Sequence, residues 1–378
     1  MLTPQEALIA LNLIPGLGSM RIQALLEFFG SAELVLHAEE KMLAMVPRVG
    51  SKIAAAIADW RNCTNAQAEI ECATQYGARI VTLLDAEYPQ FLRRMSDPPI
   101  VLYVRGNWLE SDSARSVAIV GTRQATPYGA TTARRFGREL AEEGCTIISG
   151  LARGIDTAAH WGALDAGGRT IGVLGFGLAS IYPEENAQLA DLICEGHGAI
   201  VSEFPMYMRP SRTTFPQRNR IVAAWSRATL VVEAPRRSGS LHTAGMAASE
   251  YGNSVFAVPG LAHSISSSGC HSLIRDGATL CTSAAELIDD MGWNPHPQQM
   301  ELFNEDIPRN DSPAPIREPL PDAEANELLM AIDSGNNTLD ALCSALGRGA
   351  HSITPLLMRL QIERRIIPLP GGRFSRPW

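Results

Sequence analysis

The sequence predicts an α/β protein with a doubly wound, mostly parallel sheet, preceded by a helical module and followed by a winged helix. Two observations predict the sheet. Short apolar runs alternate with helical segments between residues 78 and 290, as in strands that are buried on both faces and joined by helices. Several runs end in turns rich in glycine and small residues, which is typical of an extended Rossmann-like sheet whose ligand lies beyond the strand ends.

Length and composition predict several domains. A chain of 378 residues is long for a single core, and its 46% hydrophobic content is ordinary for a globular protein. No apolar run reaches the length of a membrane helix, and the start lacks the basic residues of a signal peptide, so we expect a cytoplasmic protein without membrane contact. The expected parts are a helix–hairpin–helix or SAM-like module (1–77), a Rossmann-like domain (78–290), a proline-rich linker (291–321) and a winged helix (322–378).

Two glycine turns precede helical patterns in the first module. One lies in residues 13–18 and the other in residues 46–50, where Arg48 replaces a usual glycine. Both resemble helix–hairpin–helix units, in which helix N-termini approach a DNA backbone. Packing and protein contact are equally open roles for this module.

The strands of the central domain are predicted from apolar runs bounded by glycine, proline and polar residues. They lie at 80–84, 117–120, 146–148, 170–174, 199–201, 230–232 and 254–258.

Three of the turns after these strands are suited to anions. Each presents backbone N–H groups at the start of a helix, and each carries an arginine able to form two hydrogen bonds to phosphate. Three such turns along one sheet predict a polyanion as the ligand. They contain Gly121-Thr122-Arg123, then Ser149-Gly150 with Arg153-Gly154, and finally Ser238-Gly239-Ser240 after Arg236-Arg237.

The net charge of −8 argues against nucleic acid only if charge is spread evenly. Between Arg209 and Arg237 there are seven arginines and one acid, Glu233, and the local field is what attracts a polyanion. A solvated arginine-rich loop is the alternative for this cluster.

Within that segment, Arg218, Asn219 and Arg220 are expected on a short extended stretch or a first helical turn. Two arginines and an amide can bind adjacent phosphates and a base edge. Phe215 offers a ring for an unpaired base, although a core position is the expectation for it.

Other chemistry is not expected. Residues 172–177 have the wrong glycine order for a dinucleotide fingerprint, and no Walker A loop is present. Asp156 and His160 share a helix face, but Asp156 is expected to cap its helix or to brace Arg153. The seven cysteines lie far apart, which argues against a zinc site and against a disulfide framework. We therefore expect no metal and no cofactor.

The C-terminal part predicts helices at 323–332, 339–346 and 352–362, followed by a strand–turn–strand. This order is typical of a winged helix, which either reads DNA or docks a protein.

Taken in order, the motifs of the central domain resemble those of the DNA-processing protein A family (DprA, also called Smf), over about residues 88–278. The segments that carry the resemblance are Val120-Gly121-Thr122-Arg123, residues 149–156 with Ala159-His160, Tyr182-Pro183 with Asn186, Ser202-Glu203, Phe215-Pro216 with residues 218–221, residues 232–234 with 238–240, and Val258-Pro259-Gly260.

The resemblance implies a binding protein rather than an enzyme. It implies binding of single-stranded DNA, loading of RecA in natural transformation, and a homodimer formed through the Rossmann-like domain. By motif, Arg123, Arg153, Arg218 and Arg220 would bind phosphates, with Asn219 beside them. The donors around them would come from Gly121, Thr122, Ser149, Gly150, Gly154, Ser238, Gly239 and Ser240.

Two departures and one rival function remain. His271 stands where many members have asparagine, and Glu184-Glu185 stand where the family often has a cation. The rival is a nucleotide hydrolase of the phosphoribohydrolase type, which needs Pro-Gly-Gly-x-Gly-Thr and a catalytic glutamate. Residues 234–243 lack that glutamate.

Overall fold

The computed structural model describes residues 2–293, 322–362, 365–369 and 373–376. Those before residue 294 form one compact unit and those from residue 322 onward form a second. The proline-rich segment predicted as a linker at 291–321 lies almost wholly outside the described residues.

Seven helices form the N-terminal part of the first unit. Thr3 caps the first of them by accepting a hydrogen bond from the Glu6 N–H, while the Glu6 carboxylate accepts one from the Thr3 N–H. The predicted glycine turns precede helices that begin at Ser19 and Ser51, with Gly18 and Gly50 at the N-cap. The helices are α1 (Pro4–Leu13), α2 (Ser19–Phe29), α3 (Ala32–His37), α4 (Glu40–Leu43), α5 (Ser51–Ala58), α6 (Trp60–Cys63) and α7 (Ala66–Gln75).

A nine-stranded sheet follows, in the order β1-β2-β6-β5-β4-β3-β7-β8-β9. The strands from β3 to β9 are all parallel to one another, whereas β1 pairs with β2 and β2 with β6 in antiparallel fashion. The sheet is therefore large and mostly parallel, as predicted. The strands are β1 (Ala78–Thr82), β2 (Val101–Gly106), β3 (Ser116–Val120), β4 (Thr146–Ser149), β5 (Thr170–Leu174), β6 (Gly198–Ser202), β7 (Ala228–Val231), β8 (Ser254–Ala257) and β9 (Thr279–Leu280).

Helices cover both faces of the parallel part. Val117 and Ile119 of β3 pack into one apolar cluster, and their neighbours Ala118 and Val120 pack into another, as expected for a strand buried on both sides. The helices of this region are α8 (Gln90–Arg93), α9 (Pro127–Glu142), α10 (Ile155–Asp165), α11 (Ala187–Leu192), α12 (Thr214–Trp225), α13 (Gly239–Ser249), α14 (Ser268–Arg275) and α15 (Ala284–Asp290).

Strand order places a switch point between β3 and β7. From β3 the chain moves outward through β4, β5 and β6, then returns to β7 on the other side of β3. The connections therefore diverge at the carboxyl ends of β3 and β7, which leaves a crevice there.

Helices α9 and α10 approach each other closely because each contributes a glycine to the contact. A Cβ on Gly137 would lie 2.4 Å from the carbonyl oxygen of Ala159, and one on Gly162 would lie 2.1 Å from that of Arg134. The two backbones are thus nearly in contact without side chains between them.

The described residues of the second unit form three helices and a two-stranded antiparallel sheet around their own apolar cluster. These bounds agree with the predicted elements, while the identity of the unit as a winged helix stays a prediction. The elements are α16 (Asp322–Asp333), α17 (Leu339–Leu346), α18 (Ala350–Ile362), β10 (Ile367–Leu369) and β11 (Arg373–Ser375). Among the described residues, no helix is long and apolar enough to cross a membrane.

Candidate nucleic-acid interface

Backbone hydrogen bonds join the three predicted anion turns. The Thr122 N–H donates to the carbonyl of Glu233 after β7 (2.7 Å), and the Ile155 N–H at the start of α10 donates to the carbonyl of Thr122 (3.3 Å). Gly154 precedes α10 with φ +77°, and a Cβ there would meet the Thr122 oxygen at 2.4 Å. The turns after β3, β4 and β7 therefore form one connected surface at the switch point.

This surface encloses a cleft of about 330 Å³. The turns after β3 and β4, the first turns of α12 and the start of α13 contribute its walls. Of the predicted site residues, those that line it are Gly121, Arg123, Arg218, Asn219, Ser238, Gly239 and Ser240.

Arg123 is exposed at the edge of the cleft and lies over an aromatic ring. Its guanidinium carbon is 4.4 Å from the ring centre of Phe215, which is a cation–π geometry. Arg212, also exposed, lines the same cleft. Two solvent-facing guanidinium groups and a ring thus share one wall.

Arg218 lies at the base of the cleft and is 4% exposed. Its guanidinium rests against Gly150, where an added Cβ would lie 1.4 Å from Arg218 Nη1, so only glycine leaves room for it. Within the described part of the chain, Arg218 Nε has no hydrogen-bond partner. The pKa of Arg218 is lowered to about 10; burial is the largest cause, the charge of Asp156 opposes it, and the nearby charge of Arg123 adds to it.

Asp156 is the buried carboxylate of this cleft, and its role differs from the one predicted. The helix N-cap is Gly154, and the Asp156 carboxylate accepts hydrogen bonds from the N–H groups of Gly150 (3.1 Å) and Ala152 (3.4 Å). Burial raises the pKa of Asp156, and the charge of Arg218 lowers it. Asp156 therefore shapes the turn that supports Arg218 and does not brace Arg153.

The start of α13 forms a further part of the cleft wall. Ser238 is the N-cap, and its hydroxyl accepts a hydrogen bond from the Ser240 N–H (3.4 Å) and lies 2.8 Å from the Ser240 hydroxyl. The first N–H groups of an α-helix have no partner within the helix, and the helix dipole makes this end positive. This wall is suited to an anion.

Arg153 follows the same kind of turn but faces elsewhere. Its Nε and Nη2 donate to the two carboxylate oxygens of Glu185, at 2.9 and 3.1 Å. Both side chains are more than half exposed. Arg153 is already occupied by an anionic partner and does not line the cleft.

Arg220 lies on another face of α12 from Arg218. Residues two apart on an α-helix are separated by about 200° around its axis. Arg220 forms ion pairs with Asp97 (Nε to Oδ2, 2.9 Å) and with Glu203, so the structure does not place it beside Arg218 as the sequence had indicated.

The remaining predicted donors have structural positions. The hydroxyl of Ser149 is buried and donates to the carbonyl of Ile119 (2.6 Å). Thr122 Oγ1 accepts a hydrogen bond from the Gln124 N–H (3.2 Å). Gly154 packs on the Thr122 backbone, as described above. These residues hold the turns together rather than line the cleft.

Arg212 and Phe215, which bring a charge and a ring to the lining of the cleft, were not among the predicted site residues. Arg212 was visible only as one arginine of a basic segment, and Phe215 was expected in the core. The signal available for both was their closeness in sequence to Arg218, because α12 begins at Thr214.

The pair Asp156 and His160 is not poised for acid–base chemistry. His160 is fully buried, with Nδ1 2.7 Å from the Thr170 hydroxyl, and burial lowers its pKa to about 3. The His160 ring faces Thr170 of β5 and does not line the cleft.

Comparison with known proteins agrees with this architecture. Residues 79–292 match the family model described as DNA recombination-mediator protein A. Protein Smf from Synechocystis is 33% identical over 97% of this chain and 98% of its own length. DNA processing protein A from Streptococcus pneumoniae superposes with a TM-score of 0.65 at 33% identity, covering 76% of this chain and 98% of that one.

A second solved relative is DNA processing protein A from Helicobacter pylori, whose structure describes its single-stranded DNA binding mode. It superposes with a TM-score of 0.51 at 31% identity, covering 57% of this chain and 97% of that one. The family model spans more than half of the chain, and the full-length relative matches almost all of it. The chain is therefore a member of the DNA recombination-mediator protein A family.

Proposed function

We propose that the switch-point cleft binds the phosphates of single-stranded DNA and that the chain acts as a recombination mediator rather than as an enzyme. The observation that carries this proposal is Arg218, a buried guanidinium at the base of the cleft whose Nε lacks a hydrogen-bond partner among the described residues. Burying such a cation is costly unless an anion completes its hydrogen bonds.

The neighbours of Arg218 support a strand as that anion. Arg123 and Arg212 extend the positive charge along the wall, and the N-terminus of α13 provides further donors. Unpaired bases stack on aromatic rings and on guanidinium planes, both of which the Arg123–Phe215 pair offers. The Helicobacter pylori relative, described as a single-stranded DNA binder, supports the same assignment.

Family membership supports three finer proposals. We propose that the chain loads RecA onto the bound strand in natural transformation, that it works in the cytoplasm, and that it forms a homodimer through the Rossmann-like domain. Leu261 and Ile265, each more than four-fifths exposed after β8, offer an apolar surface for the dimer. Sedimentation of the purified protein tests dimerisation, and RecA filament assembly on DNA coated with single-strand binding protein tests loading.

The experiment for DNA binding is a fluorescence-anisotropy titration of oligo-dT and a duplex of equal length, at several salt concentrations. We expect tight binding to the single strand that weakens with salt. Arg123→Ala should reduce affinity several-fold and reduce the salt slope by about 0.7, because one phosphate contact is lost. The matched control is Arg227→Ala. Arg227 is an exposed arginine at the amino-terminal end of β7, whereas the cleft lies at the carboxyl ends of the strands.

Equal losses for Arg123→Ala and Arg227→Ala would remove the cleft from the proposal, and equal binding of duplex would remove the single-strand preference. Release of free base from nucleoside monophosphates would favour the hydrolase instead.

A further inference from the structure

A second cavity, of about 670 Å³, lies between the N-terminal helices and the sheet. The connection from α1 to α2 forms one side, and the loop after β6 together with α12 forms the other. Helix α12 separates this cavity from the DNA cleft: Arg218 and Asn219 line the cleft, while Gln217 and Arg220 line the cavity. Both spaces open beyond the carboxyl ends of the parallel strands, so one extended ligand can reach both.

The cavity contains an ion pair with unmet hydrogen bonds. Arg220 is 8% exposed, and its Nε and Nη2 pair with Asp97 and Glu203. Among the described residues, Arg220 Nη1 and Glu203 Oε1 have no hydrogen-bond partner. A charged donor and a charged acceptor are thus left without partners on the same pair, and such atoms are costly when buried.

The rest of the lining divides into apolar and positive parts. Leu17 and Phe204 are buried apolar residues, while Gly18 and Arg48 belong to the exposed part. Gly18 is the N-cap of α2 and provides no side-chain bond, so the first N–H groups of this helix have no capping partner. The apolar lining, with a donor beside an acceptor, matches the base of a nucleotide. The positive entrance matches the phosphate of the same nucleotide.

We propose that this cavity receives one unpaired base of the strand whose phosphates bind in the cleft. Glu203 Oε1 accepts a base N–H and Arg220 Nη1 donates to an adjacent base oxygen or nitrogen, while Arg48 and the start of α2 face the phosphate. Arg220 is then a base-contacting residue and not a phosphate ligand. The inference rests on the proposed function, because it requires a bound strand.

Two glycines provide a matched pair of variants. Gly18 and Gly50 are both helix N-caps with nearly identical backbone angles (φ −84° and −81°, ψ 170° for both), and an added Cβ at either has nothing within 4 Å. Only Gly18 lines the cavity. Gly18→Phe therefore adds a ring to the lining of the cavity, whereas Gly50→Phe adds the same ring outside it.

The experiment compares the Kd for oligo-dT with the Kd for an abasic strand of equal length and charge. We expect wild type and Gly50→Phe to favour oligo-dT. Gly18→Phe should lose about tenfold on oligo-dT and little on the abasic strand, because base contacts of this kind are worth about that much. Equal behaviour of the two variants would overturn the inference while leaving cleft binding intact. Absence of wild-type binding to either strand would instead overturn the proposed function.

Two further arms complete the test. If Gly18→Phe does not fold, as judged by its thermal unfolding, Glu203→Gln replaces it. Glu203→Gln should reduce the preference for oligo-dT over the abasic strand several-fold, and an unchanged preference would overturn the inference. Free dTMP presents the same base edge as the strand. Calorimetric titration with dTMP therefore tests whether the cavity binds a free nucleotide instead of a base of the strand. Binding of dTMP that is lost in Gly18→Phe, with DNA affinity unchanged, would assign the cavity to free nucleotides and overturn the strand proposal.

Discussion

The turns after β3 and β4 are built alike, but their arginines have different neighbours. Arg123 lies over the Phe215 ring, and it has no ion pair within the described part of the chain. Arg153 is held by both oxygens of the Glu185 carboxylate. Hydrogen bonding to Arg153 lowers the pKa of Glu185. If the cleft binds DNA as proposed, the acid beside a turn decides whether its arginine is available to phosphate.

The largest expected effect comes from Arg218, at the base of the cleft that Arg123 also lines. Arg218→Met keeps the length of the side chain and removes its charge. We expect single-strand affinity to fall about ten- to a hundredfold, since a hydrogen bond to a charged group contributes about 1.5–3 kcal/mol. Fluorescence anisotropy measures the loss, and circular dichroism checks that the fold is retained. A loss below twofold would show that the cleft around Arg123 and Arg218 does not bind DNA more strongly than the turn that holds Arg153.

A smaller loss is expected from Gly150→Ala. The new methyl would lie 1.4 Å from Arg218 Nη1, so the guanidinium must move away from the cleft base. We expect about a tenfold loss of affinity for oligo-dT, measured in the same titration. Gly245→Ala is the control, because it lies within α13 and a Cβ there has nothing within 4 Å. If both variants bind like wild type, the position of Arg218 does not matter for binding.

The smallest effect has the opposite sign. Glu185→Gln removes the carboxylate that occupies Arg153, and we expect oligo-dT affinity to rise a few-fold. The salt slope should steepen by about 0.7 as Arg153 gains a phosphate. Glu184→Gln is the control, since it makes the same change at the adjacent exposed residue. An unchanged slope in Glu185→Gln would mean that Arg153 lies beyond the path of the strand. Its position, rather than its ion pair with Glu185, would then keep it from phosphate.

Much of the fold was predictable because strand burial and glycine turns are local signals. The runs at 117–120 and 170–174 agree closely with β3 and β5. Strand β2 was missed, and the antiparallel direction of β1 was not predictable, since an apolar run reads the same in either direction. The short edge strand β9 was also missed, because two exposed residues carry no apolar pattern.

The site was predictable in its turns and less so in its side chains. Arg123 was recognised because it lies in a glycine turn, and Arg218 because it belongs to the arginine-rich segment between Arg209 and Arg237. The pairing of Arg153 with Glu185 joins residues that are 32 apart in sequence, and only the tertiary fold brings them together. The separation of Arg218 from Arg220 required knowing that α12 is a regular helix at that point.

The glycine contact between α9 and α10 has a consequence for the distance between two turns. These helices follow directly from the turns that hold Arg123 and Arg153, and their separation is fixed by main-chain atoms at Gly137 and Gly162. The distance between the two helices is thus set by backbone atoms and does not depend on which apolar side chains fill the core. We therefore expect apolar substitutions within the core to leave the spacing of these two turns unchanged.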